Sequence, residues 1–232
     1  MRELVVAFLV CSFTLFSSTV MAQNTNARKL SYFGITAGGV EPRKLDSDAD
    51  PLDNISLPSV RLSDGYMFGI KFGHAPEKLS KTIAIAMEVE AFMITGTDIS
   101  SERYYTDPIS SNVKIDADIS VIATMFNLLV KDPHGQFHPY GGLGLGWTWF
   151  EIGDATLTSG TSTNSLSDLR DDVFGYQILL GLGVDLTDTL SLDFGYRYFR
   201  TEPEIRFTET AYRAVKMTYE ADIFTVFLSF GF

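Results

Sequence analysis

Large apolar side chains recur at every second position through most of this chain. The final stretch shows it best: Phe224, Val226, Leu228, Phe230 and Phe232 alternate with Ile223, Thr225, Phe227, Ser229 and Gly231. Successive side chains of a strand point to opposite faces, so one face of this strand is apolar throughout and the other is smaller and mixed. The same period of two predicts strands over residues 30–40, 65–73, 81–95, 139–151, 173–185 and 190–200. In the second of these, Tyr66, Phe68, Ile70 and Phe72 oppose Met67, Gly69 and Lys71. Residues 113–131 hold a further strand, apolar on both parities between Ile119 and Val130, so its faces stay unassigned. With the closing strand, 221–232, the tally is eight.

The segments between them alternate in length. Residues 41–64, 96–112, 152–172 and 201–215 read as long polar loops, rich in Asp, Ser, Thr and Pro; 74–80, 132–136 and 186–189 read as short turns. An apolar strand at a soluble sheet edge invites aggregation, whereas a barrel closed inside a bilayer has no edge and needs an apolar outer face. Strands of about nine to eleven tilted residues suit a bilayer, and short turns at one end with long loops at the other are the habit of outer-membrane barrels. The predicted fold is all-β: an eight-stranded antiparallel up-and-down transmembrane β-barrel. Its last strand should pair with its first, and both termini should lie on the short-turn side. Phe33, Tyr66, Phe72, Trp147, Trp149, Tyr176, Tyr196, Tyr198, Phe230 and Phe232 are assigned to the lipid-facing surface, several near strand ends where interfacial aromatic girdles form.

The opposite parity is small or charged. Lys71, Glu88, Glu90, Gln177, Asp193 and Arg197 all fall on it. The interior of an eight-stranded barrel is just wide enough to be filled by side chains, and charges there must pair. A lumen polar network is therefore predicted, with Glu88 and Glu90 facing Lys71, Arg197 or both, and it reads as a filled plug rather than an ion path. Asp222 breaks the pattern on the lipid parity. Its place near the start of the last strand suggests the outer rim, or a bulge.

The N-terminus sets the compartment. Arg2, an apolar core from Leu4 to Phe16 and the Val20-Met21-Ala22 site make residues 1–22 a secretory signal peptide, leaving 23–232 as the barrel domain. Cys11 lies within the signal, so the mature chain holds no cysteine and no disulfide. A formal charge of −11 argues against nucleic acid. His74, His134 and His138 fall at short turns without a ligand spacing, and Gly142-Leu143-Gly144-Leu145-Gly146 lacks the pattern of a nucleotide loop; glycines on one face make room inside a tight barrel. No cofactor, metal or catalytic residue is expected.

Pro139 to Gly146, Phe174-Gly175-Tyr176-Gln177 leading to Gly181-Leu182-Gly183-Val184-Asp185, and Leu190 to Tyr198 with its Tyr196-Arg197-Tyr198 resemble the small outer-membrane β-barrel family, the OmpA-like and opacity-protein-like group of Gram-negative bacteria. The motif-level match is confined to the second half of the chain. The resemblance implies a monomeric barrel in the cell outer membrane, surrounded by outer-membrane lipid, with Phe232 as the assembly signal read by the barrel-assembly machinery. Nothing follows Phe232, so a periplasmic wall-binding domain is not implied. Family members act as structural proteins, adhesins, antigens or narrow pores.

The first functional reading is a non-enzymatic barrel whose four extracellular loops serve a structural or surface-interaction role toward an unidentified extracellular ligand. Tyr104 and Tyr105 are candidate contacts. The alternative is a small porin-like channel. A lipid-modifying outer-membrane enzyme fits less well, because the histidines lie at the periplasmic end. A soluble lipocalin-type barrel would need its apolar face inward.

Overall fold

The computed structural model describes residues 31–47, 61–75, 83–104, 112–159, 162–165, 169–207 and 213–232. The expected signal peptide, residues 1–22, lies outside the described residues, as does Tyr105.

Eight long strands close the barrel: β1 (Ser31–Ser47), β3 (Gly65–His74), β4 (Ala84–Tyr104), β5 (Asn112–Lys131), β6 (Phe137–Ser159), β8 (Leu169–Asp185), β9 (Leu190–Thr201) and β11 (Arg213–Gly231). Three short strands, β2 (Arg61–Leu62), β7 (Ser162–Ser165) and β10 (Glu204–Phe207), prolong the hairpins at one end. Each long strand pairs antiparallel with the next, and β11 returns to β1 through Phe33↔Phe230, Ile35↔Leu228 and Ala37↔Val226. The sheet therefore has no edge within the apolar zone.

The pairing fixes the barrel's shape. A walk from Ser31 through His74, Met87, Leu128, Leu143, Ile178, Tyr198 and Asp222 comes back to β1 at Glu41, ten residues from where it began. A shear of ten over eight strands corresponds to a tilt of about 40°, so each residue climbs about 2.5 Å along the barrel axis.

That climb locates the membrane. The exposed side chains form an apolar belt, including Phe33, Ile35, Phe68, Ile70, Phe126, Leu143, Leu145, Ile178, Leu180, Phe194 and Phe230. Above it, at the long-hairpin end, the same outward parity meets Glu41, Asp64, Asp118, Glu151, Asp172 and Asp222. Ten residues separate Phe232 from Asp222, about the 25 Å height of an outer-membrane apolar band. Asp222 thus sits at the outer edge of the belt.

Several expectations need correction. In the segments read as long loops, the described residues are largely strand: β4 runs to Tyr104, β5 starts at Asn112 and β6 reaches Ser159. Strands reach 23 residues in β6 rather than nine to eleven. Polar residues alternate here too, with Thr97 and Ile99 inward and Asp98 outward. Their outward faces meet water above the belt, so the polarity that suggested loops marks an emergent part of the sheet. Asp222 is not near the start of its strand, which begins at Arg213, and its parity is unbroken. The irregularity lies in the neighbouring strand, between Pro42 and Lys44 of β1. A second shift in β4, between Ile94 and Thr97, uses Gly96 at φ 76°, a conformation that glycine adopts without strain.

The unassigned faces of residues 113–131 resolve cleanly. Ala117, Ile119, Val121, Ala123, Met125, Asn127 and Leu129 point inward, and Ile122, Phe126, Leu128 and Val130 point to lipid. Apart from Asn127, both sets are apolar because one meets the bilayer and the other the packed lumen.

Candidate functional site

The lumen has two storeys. The lower one, toward the short turns, is polar. Lys71, Glu88, Glu90, Gln177, Asp193 and Arg197 all lie buried there. Arg197, 1 % exposed, grips Glu90, fully buried, in a two-pronged contact: Nη2 to Oε1 at 2.8 Å and Nη1 to Oε2 at 3.1 Å. Gln177 accepts from Arg197 at 3.0 Å through Oε1, and its Nε2 donates to Asn127 Oδ1 at 2.7 Å. Asn127 Nδ2 in turn donates to Glu90 at 3.2 Å. A buried ion pair is tolerable only when most of its remaining donors and acceptors are met in this way; Arg197 Nε has no hydrogen-bond partner among the described residues.

A second group surrounds Glu88. Lys71 Nζ lies 3.5 Å and Lys131 Nζ 3.7 Å from its carboxylate, and the Tyr32 hydroxyl donates to it. Lys131 also reaches the Tyr32 hydroxyl at 3.0 Å. Lys71 sits over the Phe227 ring, 4.3 Å from its centre, so Phe227 faces a cation rather than lipid. Asp193 is buried on the same level but, among the described residues, makes no direct hydrogen bond or ion pair. Tyr32 and Tyr140 lie across Gly73 and Gly181, where a Cβ would come within 2.1 and 2.4 Å of the rings. These glycines leave the room that the tyrosines fill.

Sequence reasoning missed four members of this storey: Tyr32, Asn127, Lys131 and Tyr140. Tyr32 lies on the inward parity of β1, next to the lipid-facing Phe33. Asn127 is the one polar residue on its parity between Ile119 and Leu129, which was a readable signal.

The upper storey contradicts the expectation of a small or charged inward face. Met67, Phe92, Ile94, Ile99, Ile119, Val121, Met125, Phe150, Phe199, Tyr219 and Ile223 are buried in one cluster. Four rings cross the lumen in sequence: Phe92 to Phe199 at 5.6 Å, Phe199 to Tyr219 at 6.4 Å and Tyr219 to Phe150 at 5.7 Å. The Arg197 guanidinium lies 5.0 Å from the Phe92 ring, so the aromatic layer rests directly on the ion pair. The apolar layer continues above the belt edge because the sheet does, and the emergent strands need a core of their own.

The histidines lie at the short-turn end, and two are better held than solvated turn residues. His74 ends β3 and contacts Ser31 Oγ at 2.9 Å. His138 meets Asp185 at 2.8 Å, and Ser191 donates to the other oxygen of Asp185 at 2.7 Å. The carboxylate stands between serine and imidazole. A nucleophilic serine needs the imidazole on its own hydroxyl, so this trio is built to fasten a rim.

A closed antiparallel barrel with a lipid-facing belt and a filled lumen defines a transmembrane β-barrel of the small outer-membrane class. The chain belongs to the outer membrane protein beta-barrel domain family, which it matches over residues 8–232, and its place is the outer membrane. It is similar to the outer membrane protein OprG of Pseudomonas aeruginosa, with 14% identity and a TM-score of 0.50 over 90% of this chain and 99% of that one. Neisserial surface protein A aligns at 17% identity and a TM-score of 0.45, covering 87% of this chain and 97% of that one. An uncharacterized protein of Brucella abortus (strain 2308) is 25% identical over 158 residues, 64% of this chain. The chain spans 56% of the length of that relative.

Proposed function

We propose that this protein is a non-enzymatic outer-membrane barrel whose lumen is closed and whose work is done by the strands and loop tips that rise above the membrane. The observation that carries the reading is the apolar layer across the upper lumen. Phe92, Phe199, Tyr219 and Phe150 fill this section of the lumen, with only the buried hydroxyls of Thr97, Thr148 and Thr201 as polar groups beside them among the described residues, and an eight-stranded barrel offers little space around such a plug. The porin-like alternative would require this layer to move.

The emergent hairpins form a rigid platform, and rigid platforms with variable tips are where binding residues collect. The role is structural or surface-interactive, toward an extracellular ligand. The assembly reading is part of the same proposal: a monomer, surrounded by outer-membrane lipid, whose aromatic strand end at Phe232 is recognised by the barrel-assembly machinery. The histidine trio at the rim supports a structural rather than catalytic role for the turns.

The test is to replace the tips between β1 and β2, β4 and β5, β7 and β8, and β10 and β11 singly by short Gly-Ser turns. Binding of barrel-displaying cells to host-cell and extracellular-matrix panels is then compared. Loss of a specific binding event with one replacement supports the surface-interaction role. Unchanged binding for all four leaves only the structural role.

A further inference from the structure

The lipid-facing surface carries a groove of about 500 Å³ over β8, β9 and β11. Two rows of outward side chains wall it. Leu180, Tyr196 and Phe224 are successive paired positions in one row; Leu182, Phe194 and Val226 are the same in the other. The backbone of Gly181 and Gly195 helps to floor it. Because the rows follow the pairing direction, they climb toward the outer leaflet as they pass from β8 to β11. They end on β1 at Gly39, paired with Phe224, and Ala37, paired with Val226. Gly39 faces outward with nothing within 4 Å of where a Cβ would be, so the upper wall has a gap there.

Above that gap stands Arg43. Its side chain is 52% exposed, pairs with Asp222 through Nε, and lies 5.6 Å from the centre of the Tyr198 ring. The Tyr196 hydroxyl donates to the other oxygen of Asp222 at 2.6 Å. Asp222 thus holds the guanidinium in place at the outer edge of the belt, where Arg43 Nη2 also donates to the Tyr196 hydroxyl at 3.5 Å and the side chain stays half exposed. Glu41, also outward and exposed, is two residues away. The site offers one cation, held by Asp222, and one carboxylate with no partner among the described residues, above an apolar trough in the lipid-facing surface.

We propose that this groove binds one acyl lipid of the surrounding membrane, with a chain lying between the two rows and leaving past Gly39. Its headgroup carries both a phosphate and a protonated amine, as a phosphoethanolamine does. The phosphate meets Arg43, and the amine meets Glu41. A headgroup bearing phosphate alone would face the uncompensated carboxylate, and one with a bulky quaternary amine could not donate hydrogen bonds to it.

The test is native mass spectrometry of the full chain released from nanodiscs containing equal parts of phosphatidylethanolamine, phosphatidylglycerol and phosphatidylcholine. The wild type should retain one lipid, enriched at least threefold in phosphatidylethanolamine. Gly39→Trp, which plugs the exit, should lower retention at least fivefold. Arg43→Ala should retain lipid but lose the headgroup preference. Ala91→Trp, on the outward parity of β4 away from the groove, should behave as wild type. Heat-modifiable gel migration verifies that each variant is folded. No retained lipid in the wild type, or equal retention in Gly39→Trp, overturns the site. Equal or greater enrichment of the other two lipids overturns the headgroup assignment.

Discussion

Arg197 of β9 and Glu90 of β4 meet in the middle of the barrel through two hydrogen bonds, at 2.8 and 3.1 Å, across a lumen that neither side chain leaves. The contact joins opposite sides of the wall. It also forms the floor on which the aromatic layer stands.

This relationship gives the first prediction. Glu90→Leu alone leaves a buried guanidinium without its anion and should destabilise the folded barrel by about 3–5 kcal/mol. The double variant Glu90→Leu with Arg197→Met should recover most of that loss, because no unpaired charge remains. Urea unfolding in lipid vesicles, followed by tryptophan fluorescence, measures both. Equal losses in the single and double variants would show that the pair contributes no net attraction.

The belt makes a prediction by depth. Phe126 sits midway up the outward face of β5 and Asp118 at its outer edge. Phe126→Arg should cost about 2–4 kcal/mol and Asp118→Arg about 0–1 kcal/mol, because the penalty for a charge falls from the midplane to the interface. The same unfolding assay reads both, and a reversed order would misplace the membrane on the barrel.

The emergent strands make another. Residues 112–118 of β5 and 153–159 of β6 are paired through Val113↔Ser159, Lys114↔Thr158 and Ile115↔Leu157. Their amides should exchange with solvent far more slowly than those of an open loop. Hydrogen exchange read by NMR in micelles checks it; exchange within seconds at Ile115 and Leu157 would return these segments to loops.

At the short-turn end, Asp132 accepts the His134 backbone N–H at 2.9 Å and lies 3.0 Å from the His134 imidazole. The backbone hydrogen bond first, and the side-chain contact next, hold its pKa below the ordinary carboxylate value. A depressed pKa contributes stability that is present above the ordinary value of about 3.9 and is lost as pH falls through the folded value. Carboxyl NMR titration should therefore give a midpoint below about 3.9. His134→Ala should raise it partway, since the backbone donor remains. A wild-type midpoint at or above the ordinary value contradicts the contact.

Most of the wall was legible in the sequence because lipid and lumen impose opposite demands on alternate residues. Tyr66 to Phe72 and Phe224 to Phe232 declare their faces outright. Where both sides want apolar residues, as from Ile119 to Val130, alternation vanishes and only the structure separates the faces. The emergent strands were misread for the converse reason. Outside the bilayer the outward face is as polar as a loop, and the inward Thr97 and Ile99 are too few to stand out. The site was half legible. Glu88, Glu90 and Arg197 reveal a polar lumen by parity, and the switch from Glu90 to Phe92 on the same parity marks where it turns apolar. Which cation meets which anion depends on side-chain reach across the barrel, so Lys71 contacts Glu88 although its paired neighbour in the sheet is Glu90.

The closed lumen is the central claim, and planar-bilayer recording of the purified, folded protein tests it most directly. The account predicts a silent bilayer for the wild type, at any applied voltage that the bilayer withstands. Reproducible single-channel steps from the wild type, lost when Ala123 in the apolar layer is replaced by Phe, would contradict it.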